Sequence, residues 1–132
     1  MGKELKKILY VDDEEDIHVI VRFCLEELPN LELRSVYSGE EAIKTAIEFQ
    51  PDLILLDVMM PNMDGISTFQ ALKLMPSFAH VPIVFLTAKA QKNEIEEYFK
   101  YGAIDVILKP FDTNTFTQNV QSIWRRYQQQ RV

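Results

Sequence analysis

No stretch of this sequence approaches the roughly 20 apolar residues that a membrane-crossing helix requires. Its first residues lack the layout of a secretory signal. In Met1-Gly2-Lys3-Glu4-Leu5-Lys6, the Ser or Thr that an acylated amino terminus wants at its sixth position is also missing. No membrane contact and a cytoplasmic location are therefore expected. Cysteine is nearly absent: Cys24 stands alone, cannot form an internal disulfide, and suits a reducing compartment. It falls on a helical apolar stripe, which predicts a buried thiol. There are only 4 glycines, with no G-x-G-x-x-G and no P-loop, so nucleotide and flavin binding are disfavoured. A basic excess is missing too. The net charge of −6 argues against a nucleic-acid partner, which needs a clustered basic face. Lys3, Lys6 and Lys7, and Arg125, Arg126 and Arg131, form small basic groups at the chain ends and are expected to be solvated.

The 132 residues fit one domain, with a core from about 6 to 127 and no output domain expected. Hydrophobic residues make up 47%, enough for a single buried core. Five short β-rich runs alternate with helical patterns. The strand candidates are Lys7–Val11, Leu31–Tyr37, Leu53–Leu56, Ile83–Leu86 and Ile104–Leu108. Leu53-Ile54-Leu55-Leu56 is apolar at every position, as expected of a parallel strand covered on both faces.

The intervening segments repeat at three and four residues. Ile17, Ile20, Val21, Cys24, Leu25 and Leu28 make the first stripe, behind an acidic first turn of Glu14, Glu15 and Asp16. Ser38-Gly39-Glu40-Glu41 is a capping-box pattern opening a helix through Ala42, Ile43, Ala46 and Ile47. Asp64 is a candidate cap for a third helix ending at Met75, before Pro76. A fourth helix near Asn93–Tyr101 buries Ile95, Tyr98 and Phe99 and stops at Gly102. The last begins near Asp112, aligns Phe116, Val120, Ile123, Trp124 and Tyr127, and frays over Gln128–Gln130. Five βα units are too few for an eight-fold barrel. The expected fold is α/β, an open doubly wound five-stranded parallel sheet of flavodoxin-like type, (βα)5, with strand order 2-1-3-4-5.

Such sheets bind ligands outside the carboxyl ends of their strands. Asp12 and Asp13 follow the first strand, Asp57 ends the third, Thr87 follows the fourth and Lys109 the fifth. Three carboxylates, a hydroxyl and an ammonium would thus share one rim. A hard divalent cation such as Mg²⁺ relieves repulsion among the carboxylates. Lys109 adds a fixed positive charge. The set suits phosphoryl transfer, with a carboxylate able to form an acyl phosphate.

Four blocks carry a specific resemblance: Val11-Asp12-Asp13-Glu14, the segment from Leu56-Asp57-Val58-Met59-Met60-Pro61 to Asp64-Gly65, Leu86-Thr87-Ala88-Lys89, and Lys109-Pro110-Phe111-Asp112. Together they resemble the receiver domains of bacterial two-component response regulators, single-domain and chemotaxis-receiver-like. The resemblance implies that Asp57 accepts a phosphoryl group from a sensor histidine kinase or a histidine phosphotransfer protein. It implies Mg²⁺ held by Asp13, Asp57 and the backbone carbonyl of Met59, with Asp12 assisting through water. Thr87 and Lys109 would bind phosphoryl oxygens, small Ala88 would leave access open, and the Lys109–Pro110 peptide would be cis. The implied activity is a signalling switch rather than an enzyme, with a downstream protein docking on the fourth helix, fifth strand and fifth helix.

One position departs from that pattern. Val106, three residues before Lys109, stands where the family usually has Tyr or Phe, which puts the usual output coupling in doubt. A phosphorylation-independent adaptor is the runner-up. A phosphatase with an aspartyl nucleophile would want a second Asp at position 59, where Met59 stands. His18 and His80 are expected at the surface.

Overall fold

The computed structural model describes residues 3–88 and 91–130. Five parallel strands, β1 (Lys7–Val11), β2 (Glu32–Val36), β3 (Leu53–Asp57), β4 (Ile83–Thr87) and β5 (Asp105–Leu108), form one sheet in the order β2-β1-β3-β4-β5. Between and after them run α1 (Glu15–Leu25), α2 (Gly39–Phe49), α3 (Gly65–Lys73), α4 (Lys92–Tyr101) and α5 (Phe116–Gln130). This is the flavodoxin-like arrangement expected.

Side chains alternate across each strand and divide the core in two. Ile8, Tyr10, Leu53, Leu55, Val84, Leu86 and Ile107 meet Val21, Cys24 and Leu25 of α1 and Phe116, Val120, Ile123 and Trp124 of α5. Leu9, Val11, Ile54, Leu56, Ile83 and Phe85 meet Ala42, Ala46 and Phe49 of α2, Phe69 and Leu72 of α3, and Tyr98 of α4. Every residue of β3 and β4 is buried, because helices cover both faces.

Helix ends follow local chemistry. Ser38 accepts from the Glu41 amide (3.1 Å), and Asp64 accepts from the Ser67 amide (2.8 Å). Gly102 ends α4 at φ 114°, a left-handed conformation glycine adopts without strain. Cys24 is buried, as expected.

Several expectations need correcting. The third helix ends at Lys73, not Met75, and Pro76–Phe78 makes a separate 3₁₀ turn that buries Phe78. Proline fixes the φ of that tight turn, and the Lys73 ammonium holds it by donating to the Phe78, Ala79 and Val81 carbonyls. Asp112 does not start the last helix. Its carboxylate accepts from the Asn114 amide in a lead-in turn, and α5 opens at Phe116 and stays helical through Gln130. Ile47 and Phe99 face solvent, while Phe49 and Tyr98 nearby on the same helices enter the core.

The basic chain ends are partly engaged rather than freely solvated. Arg126 pairs with Asp105 (2.8 Å), and the Lys7 ammonium donates to the Phe49 carbonyl. Lys3 pairs with Asp52 (2.7 Å), whose other oxygen accepts from the amides of Lys6 and Lys7 (3.0 and 2.9 Å). Arg131 lies outside the described residues.

Burial works against the charge of Asp52, but Lys3 and the two amides outweigh it and hold the carboxyl below its ordinary value. Asp52→Ala would orphan two amides at the entry to β1 and should cost about 2 kcal/mol in urea unfolding. Because the folded-state pKa is depressed, the gain is complete above the unfolded value of about 4 and is lost as pH falls through the folded value. The stability gap between wild type and variant should therefore be constant near neutrality and close in acid.

Candidate functional site

Strand register brings the predicted rim together. Val11 pairs with Leu56, Asp57 with Leu86, and Thr87 with Leu108, so the ends of β1, β3, β4 and β5 lie side by side. Alternation then sorts the side chains. Asp12 follows Tyr10 by two residues, Asp57 follows Leu55 and Lys109 follows Ile107, which gives all three the parity of the α1/α5 face. Thr87 follows Phe85 by two and has the opposite parity, shared by Val106.

The Lys109 ammonium lies 2.7 Å from Asp12 Oδ2 and 3.2 Å from Asp57 Oδ1, with Glu14 Oε1 farther away at 3.9 Å. Asp12 and Asp57 are buried, Asp13 is exposed at the mouth, and one carboxylate oxygen from each lies within 4.8 Å of the others. Asp57 Oδ2 is buried with no hydrogen-bond partner among the described residues. Burial, and then the charge of Asp12, push the Asp57 carboxyl up to about 6, against the pull of Lys109 and the Met59 amide. Burial also opposes the charge on Lys109, but its bonds and charge interactions with Asp12 and Asp57 prevail and hold its pKa above the usual lysine value.

One ammonium leaves two of three carboxylates uncompensated, and one buried oxygen without a partner among the described residues. An all-oxygen set of this kind could hold a hard divalent cation such as Mg²⁺.

The remaining predicted residues fall around this cluster. Thr87 is fully buried at the end of β4, while Ala88 and Met59 are exposed. The Lys109–Pro110 peptide is cis, as the resemblance implied. Val106 is half-buried against the α2–α4 side of the core and pairs with Phe85. Lys89, in the block after β4, lies outside the described residues.

Three supporting residues escaped the sequence reading. The Tyr10 hydroxyl donates to Asp12 Oδ2 (2.6 Å), and burial followed by that bond pushes its pKa far up, so it stays a donor. The two-residue spacing to Asp12 was the available signal. Gly65 packs so tightly under the site that a Cβ there would come within 2.2 Å of the Asp57 carbonyl oxygen. That close approach is why a glycine follows the Asp64 cap.

The third, His18, corrects an expectation outright: it is fully buried, not at the surface. It shares a three- and four-residue stripe with Val21 and Leu25, and its Nε2 lies 2.6 Å from the Asp12 carbonyl. His80 is exposed, as expected.

Comparison with known proteins points the same way. A family model described as the response regulator receiver domain matches residues 8–121. The alkaline phosphatase synthesis transcriptional regulatory protein PhoP of Bacillus subtilis is 39% identical over 121 residues, covering 92% of this chain and 49% of that protein. The phosphate regulon transcriptional regulatory protein PhoB of Rhizobium meliloti is 35% identical over 122 residues, covering 92% and 53%. The chain thus spans about half the length of these relatives. Among solved structures, the chemotaxis response regulator CheY4 of Vibrio cholerae superposes with a TM-score of 0.83 at 28% identity, covering 91% of this chain and 99% of that one. The Francisella response regulator 1452 receiver domain gives 0.80 at 27% identity, covering 92% and 98%. The fold, the acidic rim and the family match over most of the chain agree: this chain belongs to the response regulator receiver domain family.

Proposed function

We propose that the chain is a Mg²⁺-dependent phosphoryl-accepting switch in which Asp57 takes its phosphoryl group from a phosphohistidine on a sensor histidine kinase or a phosphotransfer protein. The observation that carries this reading is the state of Asp57. It is buried at the carboxyl end of the central strand, with one oxygen on Lys109 and the other unpartnered among the described residues. Attack by that carboxylate on phosphorus forms an acyl phosphate as the donor's P–N bond breaks.

Asp13, Asp57 and the Met59 carbonyl would hold the ion, which when bound supplies charge neutralisation at the reacting oxygens. Asp12 is fully buried and already engaged by Lys109 and Tyr10, in keeping with an assisting role through water. Lys109 would pair with a phosphoryl oxygen and Thr87 would bond another, while Ala88 leaves the approach open.

Residues 6–127 act as one signalling unit in this reading. A downstream protein docks on the α4–β5–α5 face, where Phe99, Tyr101 and Leu108 are exposed apolar contacts. The chain's negative net charge favours a protein partner over nucleic acid. No described helix is long and apolar enough to cross a membrane, and a cytoplasmic site of action is part of the same proposal.

Incubation with acetyl phosphate and Mg²⁺ should add one phosphoryl group by intact mass. Asp57→Ala should gain none; undiminished labelling of that variant would sink the assignment. Asp13→Ala should weaken Mg²⁺ binding by calorimetry at least about tenfold, equivalent to about 1.4 kcal/mol for one lost ligand. Equal affinity would remove Asp13 from the ligand set.

Output coupling should be modest, because Val106 has no ring whose orientation could mark the two states. The expected change in partner affinity between free and beryllofluoride-bound protein is about fivefold, or roughly 1 kcal/mol, at the low end for coupled sites. Val106→Tyr should enlarge it. A wild-type shift of a hundredfold or more would show that the valine does not weaken the switch.

A further inference from the structure

His18 is a buried polar side chain that the proposed reaction does not use. It reaches back from the first turns of α1 to the end of β1, where its Nε2 lies 2.6 Å from the carbonyl oxygen of Asp12. A carbonyl oxygen only accepts, so Nε2 carries the hydrogen of this bond. The ring is held in place on two sides. Tyr10 meets it edge-on, with centroids 5.0 Å apart, and Tyr37 lies against its face at 4.1 Å. Glu15 beside the Tyr37 hydroxyl holds its pKa above the ordinary value.

The other ring nitrogen, Nδ1, is buried with no partner among the described residues. An apolar side chain would fill the same space without burying an unsatisfied nitrogen, so packing alone does not account for a histidine here.

The carbonyl that His18 holds belongs to the peptide joining Asp12 to Asp13. Peptide planarity means that fixing this oxygen also fixes the amide nitrogen and Cα of Asp13. Asp12 itself is tied elsewhere, through Tyr10, Lys109 and the Glu14 amide to its carboxylate and through its own amide to Val36. Asp13 is exposed at the mouth of the site, between two held peptides: His18 bonds the carbonyl of the one before it, and the Glu14 amide of the one after it bonds Asp12 Oδ1.

On these contacts we infer that His18 is a positioning residue for the cation site: its Nε2–H bond to the Asp12 carbonyl aims the Asp13 carboxylate toward Asp57. The inference rests on the acidic cluster being the Mg²⁺ site. A Gln at position 18 can offer an amide hydrogen in place of Nε2–H, whereas Leu fills space and offers none.

Calorimetric titration with Mg²⁺ and thermal unfolding in chelator together test the inference. His18→Gln should bind Mg²⁺ within about threefold of wild type, and His18→Leu about tenfold more weakly, a factor typical of one lost polar contact. A packing role alone would weaken both variants in step with their metal-free melting temperatures, and that outcome overturns the inference. So does wild-type affinity in a folded His18→Leu.

A measurement on the unaltered chain covers the case in which His18→Leu fails to fold. The sequence holds 2 histidines, so imidazole ¹⁵N–¹H spectra separate buried His18 from exposed His80. The His18 Nε2–H signal should shift on saturation with Mg²⁺, with His80 unmoved; an unresponsive His18 signal refutes the role. If wild type binds no Mg²⁺, the cation-site reading itself fails, a result distinct from bound Mg²⁺ with indifferent His18.

Discussion

The Lys109 ammonium between Asp12 and Asp57 is the contact on which the rest of the site depends. Register places these two carboxylates at neighbouring strand ends, both buried. Two unit charges 4 Å apart repel by roughly 4 kcal/mol at an effective dielectric of 20. A lysine delivered from the end of β5 offsets that repulsion, at 2.7 and 3.2 Å, and bonds Asp57 through Oδ1 rather than Oδ2. Lys109 does not neutralise the cluster, because Asp13 adds a third carboxylate. The residual negative charge makes the rim a candidate cation site rather than a closed structural ion pair.

Holding that balance takes a second layer, and each member of it acts on a different atom. Tyr10 fixes a carboxylate oxygen of Asp12, His18 fixes its carbonyl, and Gly65 lets the start of α3 close over the Asp57 backbone. Each of these contacts closes within one βα unit: Tyr10 and His18 meet Asp12 from β1 and α1, and Gly65 opens α3 directly after β3. The adjacency of β1 and β3 then sets the two units side by side. The fold thus supplies rigidity at the rim through apolar packing beneath it, where every residue of β3 and β4 is buried.

The fold was legible because its signals are periodic and punctuated. A fully apolar run at Leu53–Leu56 has few alternatives to a central parallel strand, and Ser38, Asp64 and Gly102 mark helix ends by chemistry that acts over three or four residues. The rim was legible for the same reason, because the end of each strand determines which residue comes next at the sheet's edge. The features that escaped depend on which way a side chain turns after the backbone is set. Phe49 and Ile47 are two residues apart on α2, and only the curvature and placement of the helix decide that Phe49 enters the core. His18 was misplaced because it was read as lying off the apolar stripe of α1, although it keeps helical step with buried Val21 and Leu25. Its burial is compensated by one acceptor outside its own helix, the Asp12 carbonyl, which no local pattern announces.

The opposite parities of the site and its neighbours bear on how a signal could leave it. Asp12, Asp57 and Lys109 have the parity of the α1/α5 side, whereas Thr87 and Val106 have that of the α2–α4 side. Asp57 and α4 therefore belong to opposite sides of the sheet, and Thr87 is the rim residue whose parity matches the α4 side. Beyond Thr87 the next layer is Phe85, which touches Tyr98 of α4 edge-on at 5.5 Å and Phe69 of α3 at 5.3 Å. Val106 pairs with Phe85 across β4–β5 but adds only a short branched side chain to this layer. Valine has one rotatable bond and a strong rotamer preference, so it cannot exchange a buried for an exposed state as a tyrosine ring can. Phe85, with Phe69 and Tyr98 against it, is consequently the aromatic packing on the Thr87 side of the sheet that reaches α4. Close packing of this kind favours small displacements over a rotamer flip.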